Sequence, residues 1–172
     1  VWVHAVSLGE TRTAAILLRA WRAACPDLRV LLTHGTATGR AEGASLLQPG
    51  DVQVWQPWDS RVAVDRFLTH FQPRMGVLLE TEVWPQLMAT AQAKHVPVVL
   101  VNARLSAKSL AGAERMAWLA RPAYRALAAV YAQTEADALR LQQLGTPVAG
   151  VFGNLKFDAK PDAVQQALAR QW

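Results

Sequence analysis

Seven short runs rich in β-branched and other apolar residues recur along this chain, and each is followed by a different kind of segment. The runs are Val1–Val6, Leu28–His34, Val52–Gln56, Met75–Glu80, Val98–Ala103, Val130–Gln133 and Val148–Phe152. Most are continuous apolar stretches without in-out alternation, the pattern of strands covered on both faces. Helical patterns separate them at Thr11–Ala24, Arg40–Leu47, Ser60–Phe71, Pro85–His95, Ser109–Leu127 and Glu135–Leu144. Such alternation predicts an α/β fold: a Rossmann-like parallel sheet of about seven strands, right-handed crossovers and helices on both faces.

The 172 residues suffice for one domain of this kind, with its own core. With 52% apolar and 18% charged residues, the chain is globular in composition. Apolar runs such as Val96 to Val101 fall far short of the ~20 residues a membrane-spanning helix needs. Nothing at the N-terminus reads as a signal peptide. The lone Cys25 excludes a disulfide framework within the chain and fits a reducing compartment. The chain starts inside a strand pattern and stops inside a helical one that follows Pro161, so it reads as a fragment of a longer protein. Residues 1–153 are expected to form the domain, and 154–172 a linker and the start of a helix leading to a second domain.

Eighteen basic against 13 acidic residues leave a net charge of +5. The excess is local: Lys94, Arg104, Lys108, Arg115, Arg121 and Arg125 lie in one stretch with Glu114 as the lone acid. A cationic surface points to an anionic partner such as phosphate groups or an anionic membrane face; solvated helix faces are the plainer alternative. Nucleic acid ranks last, because aromatic and basic residues are sparsely interleaved and no recognition module is present.

Ligands of an open parallel sheet bind beyond the carboxyl ends of its strands. The loops predicted there hold the candidate chemistry. Ser7-Leu8-Gly9-Glu10 fits a capping box, with Ser7 as N-cap and Glu10 reaching back to the Ser7 amide. A glycine in a first helical turn disfavours the helix, so Gly9 points to a ligand approaching the backbone. Gly35–Gly39 is neither a dinucleotide fingerprint nor a phosphate loop of the Walker type, although Thr36, Thr38 and Gly39 place hydroxyls and amides at a helix start. Glu80 and Glu82 are two carboxylates at the end of an apolar strand, where they repel each other. If strand geometry persisted they would face opposite sides, one the crevice and one a basic partner such as Arg104; a purely structural ion pair is the alternative. Asn102 lies at the end of the fifth strand with Arg104 and Ser106 just beyond it, and Asn154 and Lys156 follow the seventh. The four histidines show no ligand spacing, so no metal site is expected. For Trp55, Trp58, Trp84 and Trp118 core packing is the simpler assignment for most, with interfacial contacts the alternative.

Read in order, W-V-H-A-V-S-L-G-E (2–10), L-L-T-H-G-T-A-T-G (31–39), Q-P-W-D (56–59), E-T-E-V-W-P (80–85), V-N-A-R-L-S-A-K-S (101–109) and G-N-L-K-F-D (153–158) form a series. It resembles the 3-deoxy-D-manno-octulosonic acid (Kdo) transferases of Gram-negative bacteria from the first residue to the last. The resemblance implies the N-terminal, acceptor-binding half of a two-domain GT-B glycosyltransferase. It further implies transfer of Kdo from CMP-Kdo to a hydroxyl of a lipid A precursor (lipid IVA) at the cytoplasmic face of the inner membrane. The implied reaction inverts the anomeric centre and uses neither metal nor cofactor. The family's base falls on Glu10, oriented by Ser7 and Gly9. The resemblance gives Glu80 and Glu82 functional roles, and substrate contacts to Thr36, Thr38, Gly39, Asn102, Arg104, Ser106, Asn154 and Lys156. Val83 stands where the family usually has Leu or Phe, and His34 where it often has Thr. Other readings are a different GT-B enzyme, such as a heptosyltransferase or a UDP-sugar epimerase, and a non-catalytic module that binds anionic lipid.

Overall fold

A computed structural model describes residues 1–158. Seven strands run parallel in one sheet: β1 (Trp2–His4), β2 (Leu31–His34), β3 (Val52–Trp55), β4 (Gly76–Leu79), β5 (Val98–Ala103), β6 (Ala129–Ala132) and β7 (Val148–Val151). Their order across the sheet is β3-β2-β1-β4-β5-β6-β7. The order reverses between β1 and β4, which opens a crevice at the carboxyl edge there. The predicted Rossmann-like sheet is what the chain forms.

Strand side chains alternate between two cores. Trp2, Leu78 and Leu100 point to one face, where α3 (Arg61–Phe71), α4 (Pro85–Ala93), α6 (Ala117–Arg125) and α7 (Glu135–Gln143) supply Phe67, Leu87, Met88, Ala123 and Leu141. Val3, Leu32, Val77 and Leu79 point to the other, against Ala14 and Leu18 of α1 (Leu8–Ala24). Trp2 anchors the first core: its ring meets Phe67 edge-on at 5.3 Å and its indole N–H donates to Thr33 Oγ1 at 2.8 Å. Gly76 is required beside it, because a Cβ there would lie 2.7 Å from the Trp2 ring.

Several helix boundaries differ from the sequence expectation. The helix expected over Ser109–Leu127 is two helices, α5 (Ala107–Arg115) and α6, which meet at Met116 with φ −114° and ψ 37°. The bend lays α6 against α4 while α5 reaches α7, positions one straight helix cannot take together. The first helix starts at Leu8, and the second, α2 (Ala37–Ala44), at Ala37, each three residues before the expected start. Ser7 and Thr36 cap them and fix those starts. After β7, Gly153 takes a left-handed φ of 81° and the chain makes a 3-10 turn over Leu155–Asp158 that packs on α1. Pro161 and the helical pattern expected toward Trp172 lie outside the described residues.

Candidate active site

Because all strands are parallel, the seven candidate loops share one edge. Glu10 stands in the first turn of α1 and is only 9% exposed. Its Oε2 accepts from the Val6 amide at 3.0 Å, and its Oε1 from the Ser7 hydroxyl at 2.8 Å. The Ser7 oxygen in turn accepts from the Glu10 amide at 3.3 Å. The box is therefore shifted: the carboxylate satisfies the amide before the N-cap, and not that of Ser7 as the spacing predicts. Burial raises the Glu10 pKa above the ordinary carboxylate value. The bonds from Val6 and Ser7 oppose that rise, while the charges of Glu82 and Glu80 add to it. This leaves a carboxylate oriented by two donors yet more basic than one in water.

Gly9 lies beside it with open space where a Cβ would point, the nearest atom being Ser7 Oγ at 3.9 Å. No protein neighbour requires a glycine there. Gly39 is different: a Cβ would come within 2.7 Å of the Val6 carbonyl oxygen, so this glycine lets α2 pack on the loop that carries Ser7 and Glu10. Thr36 works alongside it, donating to the Val6 carbonyl at 2.8 Å and capping α2. Thr36 and Gly39 thus build the loop, whereas the Thr38 side chain is exposed at the helix start.

Strand geometry does not persist through Glu80-Thr81-Glu82. The strand ends at Leu79, and Glu80 adopts a left-handed φ of 57° that non-glycine residues rarely take. Its buried carboxylate pairs with Arg104 Nε at 2.9 Å and Lys156 Nζ at 2.9 Å. Asn102, at the end of the neighbouring strand, shares the left-handed conformation at φ 54°. Asn102 Oδ1 accepts from the Leu155 amide at 3.1 Å, and Gln133 Nε2 donates to the Asn102 carbonyl at 2.8 Å. Asn154 Oδ1 accepts from the Lys156 amide at 3.0 Å. Glu80, Asn102, Arg104, Asn154 and Lys156 thus form one connected cluster with net positive charge. Glu82 turns the other way: it accepts from the Trp84 indole N–H at 2.9 Å and its charge bears on Glu10. Ser106 caps α5 on the exposed side and does not join either group.

Three positioning residues were not singled out from the sequence. Asp137 accepts from the Leu105 amide at 2.9 Å, and Arg140 donates to the Leu105 carbonyl, which together clamp the backbone beside Arg104. Although burial opposes it, bonds from Thr134, Leu105 and Arg140 hold the Asp137 pKa below its usual value. Asp59 accepts from the amides of Gln86 and Leu87 at 3.1 and 2.7 Å, capping α4 from a distant loop. A Thr three residues before an Asp, as in Thr134-Glu135-Ala136-Asp137, was the one available signal for the clamp. The tryptophans correct the sequence reading outright. Trp55, Trp58, Trp84 and Trp118 are 51%, 88%, 41% and 76% exposed, so none of the four packs in the core.

A family model described as 3-deoxy-D-manno-octulosonic-acid transferase (kdotransferase) matches residues 1–159. The chain belongs to the Kdo transferase family. The Kdo transferase of Bordetella pertussis is 47% identical across the whole of this chain, which covers 41% of that protein. The Kdo transferase of Rickettsia typhi is 32% identical over 91% of the chain and 34% of its own length. The chain therefore spans about two-fifths or less of these relatives and corresponds to their N-terminal part. Among solved structures, S. aureus MnaA in complex with UDP superposes with a TM-score of 0.65 at 15% identity, over 91% of this chain and 44% of that one. A UDP-GlcNAc 2-epimerase from Neisseria meningitidis bound to UDP-GlcNAc gives 0.62 at 15% identity, over 99% and 53%. At that identity the likeness is one of fold, and it agrees with the expected N-terminal GT-B half.

Proposed function

We propose that this Kdo transferase domain binds the acceptor in the full-length enzyme and that Glu10 is the general base. In the reaction the acceptor hydroxyl attacks the anomeric carbon of Kdo, a new C–O bond forms, and the bond to CMP breaks with its electron pair leaving on the phosphate. The hydroxyl proton passes to Glu10, and attack opposite the leaving group inverts the centre. No metal or cofactor is required in this scheme. The observation that carries it is the state of Glu10: buried at the crevice edge, held by Ser7 and Val6, and more basic than an ordinary carboxylate.

The Glu80 cluster suits a second task. Its two cations against one carboxylate leave a net positive charge beside Asn102, fit to hold a phosphate or carboxylate of a substrate. The acceptor of this reading is a lipid A precursor, and the enzyme meets it at the cytoplasmic face of the inner membrane. Lys108, Arg115, Met116 and Trp118 support that location, being exposed together on α5, α6 and their junction. Lys94 does not join them, because it pairs with Asp65 at 2.8 Å. Assaying the full-length protein with CMP-Kdo and lipid IVA, against UDP-sugars as alternative donors, tests the reading. Kdo transfer is expected; turnover with a UDP-sugar and none with CMP-Kdo refutes it.

A further inference from the structure

Trp55, Trp58 and Trp84, which the fold leaves exposed, converge on one cavity of about 550 Å³ at the carboxyl edge of β1 to β3. His4, Val6 and Gln56 also line it. An indole left in water forgoes the burial that usually stabilises it, and three around one hollow mark a recognition surface. The walls are held in advance of any ligand. Trp84 donates its indole N–H to Glu82, Arg40 lies 5.0 Å from the Trp55 ring centre, and Asp59, next to Trp58, is fixed by the amides of α4.

The polar lining has a definite sense. His4 is fully buried, and its Nδ1 lies 3.3 Å from the Thr33 carbonyl and 2.9 Å from the Thr33 hydroxyl. A carbonyl takes only a donor, which places the ring proton on Nδ1 and a lone pair on Nε2. Burial pushes the ring pKa down to about 4, so the imidazole stays neutral at physiological pH. Neither His4 Nε2 nor Gln56 Oε1 has a hydrogen-bond partner. Both are acceptors, and both call for a donor. A fatty chain would leave them unpaired, and a phosphate would bring further acceptors against them. A sugar ring brings hydroxyl donors and apolar C–H faces for the indoles.

Two wall residues link the cavity to Glu10. Val6, in its wall, donates to the Glu10 carboxylate, and Trp84 is bonded to Glu82, whose charge bears on Glu10. We propose that this tryptophan-lined cavity is the subsite for a pyranose ring of the acceptor, its faces against the indoles and its hydroxyls toward His4 and Gln56. This rests on the reading of Glu10 as the base, since it explains how the attacking hydroxyl is brought there.

The test uses the full-length protein, its Trp58→Ala and Trp58→Phe variants, and two probes: lipid IVA, and the same glucosamine disaccharide bisphosphate with every acyl chain removed. Titration calorimetry is expected to show the deacylated disaccharide binding the parent protein, about tenfold more weakly the Ala variant, and near-normally the Phe variant. In turnover the Ala variant raises KM for the acceptor with kcat and KM for CMP-Kdo within about twofold. Equal binding of the deacylated probe by parent and Ala variant overturns the proposal, as does no binding to the parent. Weakening confined to lipid IVA assigns the cavity to an acyl chain and equally overturns it. The calorimetric result does not depend on turnover, so a failure of the Kdo transfer reading registers separately.

Discussion

Burial at Glu10, helped by the charges of Glu82 and Glu80, outweighs the bonds from Val6 and Ser7 that favour its ionised form. Three residue-scale consequences follow from that balance. A carboxyl whose folded pKa is raised adds stability that is fully present below its unfolded value and lost as pH rises through the folded one. Glu10→Gln, which keeps an acceptor for Val6, is therefore expected to melt no lower than the parent at pH 7 to 8, and to lose any advantage near pH 4, by thermal melts at both. The acid limb of kcat/KM is expected above the ordinary carboxylate value, and Glu82→Gln should move it to lower pH by removing a neighbouring charge; a limb that stays in place would detach Glu82 from the base. The left-handed Glu80 and Asn102 are the other residue-scale signature. Two non-glycine residues held at positive φ on adjacent strand ends are strain retained where the cluster with Arg104 and Lys156 over-determines it.

At the scale of elements, the two glycines of the site separate into different duties. Gly39→Ala is expected to destabilise the domain by about 1 to 3 kcal/mol, because the added methyl meets the Val6 carbonyl. Gly9→Ala should leave the melting temperature unchanged or raise it, since alanine favours helix and nothing opposes the methyl, yet lower turnover if substrate approaches there. Asp59→Ala removes the cap of α4 at an expected cost of about 1 kcal/mol, readable by denaturant unfolding. The strands were legible because Val98–Ala103 and its counterparts are apolar runs that only a doubly covered sheet accommodates. The division of α5 from α6 was not, because Met116 carries no breaker signature and the bend arises from packing on α4 and α7. Glu10, Glu80 and Arg104 were legible as loop polar groups after apolar strands. The Asp59 cap and the Asp137–Leu105 clamp were not, since each joins residues about 30 apart and no local pattern encodes them. The tryptophans misled for a related reason: composition favours burying an indole, and only the loop geometry shows them turned outward.

For the molecule as a whole, one carboxyl edge holds Glu10, the cationic cluster and the tryptophan cavity, while Lys108, Arg115, Met116 and Trp118 lie on α5, α6 and their junction. The chain is expected to bind vesicles containing anionic lipid at low salt and to release them as salt shortens the screening length below about 10 Å. Sedimentation at rising salt checks this; binding unchanged across the series would remove the electrostatic part. No helix among the described residues is long and apolar enough to cross a membrane. The most direct measurement is single-turnover Kdo transfer from CMP-Kdo to lipid IVA by the full-length Glu10→Gln variant, with acceptor affinity measured on the same sample. Loss of the chemical step by about 100-fold or more, with acceptor affinity retained, is the predicted result. A rate within a few-fold of the parent would mean that the proton goes elsewhere and that Glu10 only builds its loop.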